Sequence, residues 1–254
     1  MNLFFDTKLA ENYHSSSQKI RVMSENWVNN NVYCVRCGNK LTQFKNNKPV
    51  GDFYCEKCKE EFELKSNKSK LGNKIVDGAY DTMINKIKNK DIPNFFYLNY
   101  DLKNYSVNNL LIIPKHYFTQ NVIIKRPPLP KTARRAGWVG CNIDVSSIPS
   151  SGKLYLIFNK QIIDKNIVIS KFNKMLFLRN QKDELRGWLL DIMKCIESLN
   201  KQDFTLNEIY SFENFLKLKH PKNNNIRPKI RQQLQNLRDY GYLDFTKRGE
   251  YTLL

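Results

Sequence analysis

The sequence predicts an α/β (α+β) protein: a mixed sheet covered by helices, followed by a smaller C-terminal domain of three helices and a hairpin. Three observations lead there. Asn94 to Tyr100 and Val107 to Ile113 are apolar, aromatic and β-branched, as central strands are. Helical stripes precede and follow them, so helices cover the sheet. From Asp183 onward the rhythm changes to three amphipathic segments and two short strand-like runs.

Composition sets the bounds. The 254 residues suffice for one large domain or two, and 41% hydrophobic residues can fill a core. Lys and Arg number 42 against 24 Asp and Glu, a net charge of +18 with a pI near 9.6. That excess favours a polyanionic partner, most simply nucleic acid. The start, Met1-Asn-Leu-Phe-Phe-Asp6, has no basic region followed by a long apolar one, so no signal peptide is expected. Runs such as Leu110 to Ile113 are too short to span a bilayer. The expectation is a cytoplasmic protein, monomeric when free, with no membrane partner.

Ser17 to Val28 reads as a helix, with Ser17 as N-cap and Ile20, Met23 and Trp27 at helical spacing. Glu25 on it is either a further site carboxylate or a solvated glutamate. Cys34-x2-Cys37 follows, then a polar loop to Lys48, and after 17 intervening residues comes Cys55-x2-Cys58. Without an export signal the chain is expected in a reducing compartment. Four thiolates at this spacing then predict a structural Zn²⁺ on Cys34, Cys37, Cys55 and Cys58 rather than disulfides. Cys141 and Cys195 read as buried thiols.

The second cysteine pair lies between two β-prone runs, Val50 to Tyr54 and Glu61 to Lys65. Alternation turns Glu61, Glu63 and Lys65 to one face and Phe62 and Leu64 into the core. If the runs pair as a hairpin, Asp52 comes alongside Glu63 and Lys65. Two carboxylates suit a hard divalent cation such as Mg²⁺, which polarises a phosphoryl oxygen and acidifies its water. The lysine would position that water and offset charge in the transition state.

Ser66 to Lys74 reads as a basic loop, either tracking phosphates or merely solvated. Ile75, Val76, Ala79, Tyr80, Met83, Ile84 and Ile87 predict a wide helical stripe. Pro114 ends the second central strand, and Val122 to Ile124 reads as an edge strand. Pro127, Pro128 and Pro130 argue against regular structure across Lys125 to Asn142. This stretch holds Lys125, Arg126, Lys131, Arg134 and Arg135, with Trp138 between Gly137 and Gly140. Guanidiniums on phosphates and an indole against a base would suit DNA. The other reading is a surface loop that tucks Trp138 into the core.

Gly152 to Phe158 and Gln161 to Ile163 form a predicted hairpin turning at Asn159-Lys160. Ile167 to Arg179 is a helix. The boundary falls in Asn180 to Asp183, giving domains 1–181 and 182–254. In the second, Asp183 caps a helix to Leu199, and Thr205 caps one to about Lys219 with Glu208 completing a capping box. A third helix runs from Ile226 to Tyr240. Gly241 ends it, and strands Tyr242 to Phe245 and Tyr251 to Leu254 flank the turn Lys247-Arg-Gly-Glu250. This is the winged-helix order. Ile230, Leu234 and Leu237 face inward, while Gln232, Gln235 and Asn236 point away between Lys229 and Arg231. Gln and Asn amides suit adenine edges and Arg suits guanine; Lys247 and Arg248 on the wing suit phosphates. Winged helices also bind proteins. His14, His116 and His220 are scattered and carry no assigned role.

Asp52, ten residues, Glu63, one residue, Lys65 resembles the PD-(D/E)xK nuclease motif, with its proline displaced to Pro49. Asp77-Gly-Ala-Tyr80, Pro93-Asn-Phe-Phe96, Thr132-Ala-Arg-Arg-Ala-Gly-Trp138 and Lys229-Ile-Arg-Gln-Gln-Leu234 extend a close resemblance to the DpnI-type, methyl-directed (type IIM) restriction endonucleases over nearly the whole chain. That resemblance implies a PD-(D/E)xK core with an inserted four-cysteine zinc site and a C-terminal winged helix. It also implies Mg²⁺-dependent cutting of double-stranded DNA at N6-adenine-methylated GATC, between A and T on each strand, with blunt ends. Asp52, Glu63 and the Leu64 carbonyl would hold the metal and Lys65 would serve the water. Arg134, Arg135 and Trp138 in the first domain, and Lys229, Arg231, Gln232, Gln235, Lys247 and Arg248 in the second, would contact DNA. The competing expectation is a zinc-ribbon and winged-helix transcription regulator. It explains the charge, the cysteines and the third helix, but not Asp52, Glu63 and Lys65.

Overall fold

The structure, a computed structural model, describes residues 1–45 and 51–254. Pro49 and Val50 lie outside the described residues. The chain divides into two compact units: Met1–Val145 with Ser151–Met175, and Ser146–Ser150 with Leu176–Leu254.

In the first unit α1 (Ser16–Asn31) starts a residue earlier than expected, with Ser15 rather than Ser17 at the N-cap. It buries Met23, Ser24, Trp27 and Val28, and the Trp27 indole donates to the Asn2 carbonyl at 2.7 Å. Strands β1 (Thr42–Gln43), β2 (Phe53–Tyr54) and β3 (Glu61–Asn67) follow. β2 and β3 pair antiparallel, Phe53 opposite Phe62 and Tyr54 opposite Glu61, as the expected hairpin requires.

The stripe from Ile75 to Ile87 is two elements, not one helix. Lys74–Ala79 is strand β4, and α2 begins at Tyr80 and runs to Lys88. Apolar residues at 75, 76 and 79 fit either period, and a β-bulge between Asp77 and Ala79 blurs the alternation. β5 (Asn94–Asp101) and β6 (Ser106–Ile113) are the central strands, with all but the last residue of β5 buried. β7 (Ile123–Lys125) and β8 (Gly140–Asp144) bracket the proline-rich stretch, whose last residues therefore enter a strand. β9 (Leu154–Phe158) and β10 (Gln161–Ile162) form the predicted hairpin, turning through left-handed Asn159 and Lys160. α3 (Lys165–Lys174) is shorter than expected, and Leu176–Asn180 is a 3-10 turn.

Among the described residues a mixed seven-stranded sheet has the order β1-β2-β3-β5-β6-β9-β10, with β3 and β5 parallel and the other pairs antiparallel. A three-stranded sheet, β4-β8-β7, lies in the same unit. Phe62 and Phe96 stack at 5.0 Å in the core, and α1 contributes Met23 and Trp27 to the buried set. Each such buried ring is worth about 2–3 kcal/mol of apolar burial.

The second unit holds α4 (Asp183–Ser198), β11 (Asp203–Thr205), α5 (Leu206–Tyr210), α6 (Glu213–Lys219), α7 (Ile226–Asp239), β12 (Leu243–Lys247) and β13 (Glu250–Leu253). Lys182, not Asp183, is the N-cap of α4; the Asp183 carboxylate accepts from Arg186 one turn on. The Thr205–Glu208 capping box is present, but the helix it opens breaks after Tyr210 and restarts at Glu213. β11 was not legible in the sequence and adds a third strand beside β13. Ile226, Ile230, Leu234 and Leu237 of α7 are buried, and Gly241 follows at φ +69, a left-handed conformation that suits glycine. These helices and the terminal sheet are a helix-turn-helix fold with a wing.

Candidate active site and nucleic-acid surfaces

The active-site candidate is built where the start of β2 lies against the middle of β3, at the end of the hairpin away from its cysteine turn. Gly51 has φ +71, and a Cβ there would meet the Phe62 carbonyl oxygen at 3.2 Å, so the turn into Asp52 needs glycine. Asp52 then donates its N–H to Phe62 O at 2.8 Å and its Oδ2 accepts the Leu64 N–H at 2.7 Å. These bonds set Asp52 alongside Glu63, Leu64 and Lys65. Leu64 is half-buried and lines a cleft rather than entering the core, whereas Phe62 is fully buried.

The Lys65 ammonium lies 2.5 Å from Glu63 Oε1 and 2.7 Å from Asp77 Oδ1. Burial raises the pKa of both Asp52 and Glu63 above the ordinary carboxylate range. The Leu64 N–H bond and the Lys65 charge oppose this at Asp52; Lys65 leads the opposition at Glu63. At Lys65 burial does not prevail. Burial would lower it, but the charges of Glu63 and Asp77 outweigh burial and hold the ammonium above its ordinary pKa. Two neighbouring carboxylates whose charge is opposed by burial are a donor set that fits a hard divalent cation.

Glu25 approaches from α1. Its Oε1 accepts from Arg21 Nε at 2.7 Å and its Oε2 from Gln43 Nε2 at 2.9 Å. The side chain is 14% exposed, so it is anchored rather than solvated, and its charge raises the pKa of Asp52. An open cleft of about 640 Å³ runs past Leu64 and Lys65, with Arg21, Lys68 and Lys74 in its walls. Lys68 and Lys74 come from the stretch read as a basic loop, whereas Arg21 and Asp77 were not identified from sequence. Asp77 falls in the stretch read as helix, where its direction could not be inferred.

The four cysteine sulfurs lie within 4.8 Å of one another, with Cys34–Cys58 at 3.4 Å and Cys37–Cys55 at 3.5 Å. A tetrahedral Zn–S site has sulfurs about 3.8 Å apart, whereas a disulfide needs about 2.05 Å. The two halves are built alike. The Gly38 N–H donates to Cys34 O and the Lys59 N–H to Cys55 O, and both Gly38 and Lys59 are left-handed. Against the pull of burial, hydrogen bonds from Asn39 hold the Cys37 thiol down to about 6. Burial pushes Cys58 up to about 11 and raises Cys34 further still. The cluster is compatible with structural zinc. Buried Glu60 ties it to the sheet, accepting from Arg36 at 3.1 Å and from Asn94 at 2.9 Å.

Between β7 and β8 the basic loop closes on itself through Leu129 N–H to Trp138 O and Gly137 N–H to Leu129 O. Trp138 is half-exposed and not in the core. Its ring folds over Gly140, where a Cβ would sit 2.8 Å from it, and the Arg135 guanidinium stacks on it at 4.5 Å. Arg134 and Arg135 are exposed.

In the second unit Arg231, Gln232 and Gln235 lie on the exposed face of α7, with Lys229 and Asn236 half-buried at its edges. Lys229 Nζ donates to Gln232 Oε1 at 2.9 Å, and Arg231 donates to the Tyr210 hydroxyl at 2.7 Å. Lys247 and Arg248 are exposed at the wing tip, Lys247 paired with Glu250 at 3.1 Å. His220, which the sequence left without a role, stacks on Trp188 at 3.6 Å and bonds Asp191 at 2.8 Å, a structural contact.

Two family models match the chain. That of the Dam-replacing family covers residues 1–181, and that of the Dam-replacing HTH domain covers 184–252. Among the described residues no helix is long and apolar enough to cross a membrane.

Proposed function

The chain belongs to the DpnI (Dam-replacing) family, and from that premise we propose a type IIM restriction endonuclease that hydrolyses both strands of double-stranded DNA at N6-adenine-methylated GATC, leaving blunt ends. The observation that carries this reading is the convergence of Asp52, Glu63 and Lys65 beside a cleft with basic walls. A DNA-binding regulator has no use for two half-buried carboxylates at that position.

Asp52, Glu63 and the Leu64 carbonyl are the residues that would hold Mg²⁺. When bound, the ion supplies Lewis-acid activation of the scissile phosphate and of the attacking water. Lys65 orients that water and offsets the charge that develops on the phosphoryl oxygens. Arg134, Arg135 and Trp138 would engage the duplex from the first unit. Lys229, Arg231, Gln232 and Gln235 would meet base edges and phosphates from the second, with Lys247 and Arg248 on the backbone. The four cysteines would hold Zn²⁺ as a staple with no catalytic part. One methyl group adds only about 1 kcal/mol in an apolar pocket. Strong discrimination therefore needs either repeated readout, which two DNA-binding units would supply, or a site assembled only when the methyl is seated.

The test is digestion of one plasmid prepared with and without adenine methylation at GATC, in Mg²⁺ or EDTA. The expected result is cutting of the methylated form alone, and only in Mg²⁺. Equal cutting of both forms would keep the nuclease and remove the methyl dependence. Intact DNA binding with no cutting would favour the regulator.

A further inference from the structure

Among the described residues the catalytic-lysine candidate has two anionic partners, and only one of them belongs to the proposed metal set. Glu63 is on β3, the strand of Lys65 itself. Asp77 is on β4, in the other sheet of the unit, and reaches Lys65 Nζ at 2.7 Å. We propose that Asp77 is a positioning residue: it holds the Lys65 ammonium in place once Glu63 is committed to the metal. This inference rests on the nuclease reading of Asp52, Glu63 and Lys65.

Lys65 Nζ contacts Glu63 and Asp77, and the Phe95 ring centroid lies 5.8 Å away. Lys65 forms part of the wall of the large cleft and also of a smaller hollow of about 180 Å³, which Glu63 and Asp77 line as well. A carboxylate that takes a divalent cation directs its charge to that cation. The ammonium beside it then loses attraction and is repelled by the ion. Lysine is a point charge on a flexible four-carbon stem, so without a second anchor it would leave the position from which it can orient water. Nothing in the Glu63 arrangement provides that anchor.

Asp77 is fitted to provide it. Its side chain is 5% exposed, less than that of Glu63 or Lys65. Its backbone is fixed by pairing with Cys141 of β8, and the bulge that follows, between Asp77 and Ala79, is the kind of irregularity that re-aims a side chain near a site. The carboxylate is thus held by a different sheet from the one that carries the metal-binding candidates, and it stays when Glu63 is engaged.

The experiment uses the full chain and a duplex with one methylated GATC site under single-turnover conditions. Wild type, Asp77→Asn and Asp77→Glu are compared across a Mg²⁺ titration. DNA affinity without Mg²⁺ and melting temperature are measured alongside. Asparagine keeps the shape and removes the charge, so cleavage should slow about a hundredfold, the scale of a misplaced catalytic group. DNA affinity and melting should not change, and Asp77→Glu should recover part of the rate. An unchanged rate in Asp77→Asn would overturn the proposal. So would a rate restored by more Mg²⁺, which would make Asp77 a metal ligand, or a rate that falls with melting temperature and is not rescued by glutamate. A wild type that does not cut sinks the nuclease reading and this role with it; a cutting wild type with an equally active Asp77→Asn sinks this role alone.

Discussion

Asp52 commits one carboxylate oxygen to the Leu64 N–H and is otherwise short of donors among its described contacts. Burial works against its charge, and so does Glu25 across from it. Such a residue contributes little to folding and a great deal to cation binding. Substituting Asp52→Ala should therefore abolish cleavage, a loss of several powers of ten, while leaving DNA affinity and melting temperature near wild type. Gel-shift and melting measurements check this, and loss of DNA binding would make the aspartate structural. The spacing of Asp52, Glu63 and Lys65 was readable because a hairpin converts a sequence interval into adjacency. Asp77 was not readable. Its neighbours Ile75, Val76 and Ala79 satisfy two periodicities, and only the pairing of β4 with β8 decides between them.

At the scale of elements, the cysteine cluster fastens α3 and the β2–β3 hairpin to one another. Lys165 Nζ donates to Gly38 O at 2.7 Å and Asn173 to Arg36 O at 3.1 Å, so α3 grips the first cysteine turn. Glu60 carries the second turn to β5 through Asn94. Breaking the cluster should loosen the strand ends that present Asp52 and Glu63. Cys58→Ser is expected to cost more than about 4 kcal/mol, as loss of a structural metal does. That corresponds to a fall of about 10 °C in the melting temperature of a domain this size. Metal analysis of the purified protein, with melting before and after chelation, is the check; a metal-free protein that melts unchanged would remove the zinc from the account. The cysteine turns were legible because Cys-x2-Cys fixes its own local geometry. Helix ends were less so: Ser17 and Asp183 are good capping residues that lie just inside their helices, since the cap depends on where the packed face starts.

For the whole molecule, the net charge of +18 has a direct consequence in solution. DNA affinity should fall steeply with salt, each phosphate contact adding about 0.9 to the slope of log K against log salt. Arg248→Ala should weaken binding to methylated and unmethylated duplexes alike and reduce that slope by about one. A change confined to methylated DNA would instead make Arg248 a reader of sequence. By itself, the sequence determined the class of the fold, the central strands, the four-cysteine set, the first and last helices of the second unit and the choice of Asp52, Glu63 and Lys65 as candidates. Each of these is written in local spacing or in a long one-sided pattern. Only the tertiary structure decided that β4 is a strand, that Asp77 shares Lys65 with Glu63, that Arg21 and Gln43 anchor Glu25, and that Trp138 folds over Gly140 outside the core. Those facts depend on contacts that local spacing does not specify, and no periodicity records which partner a side chain will meet.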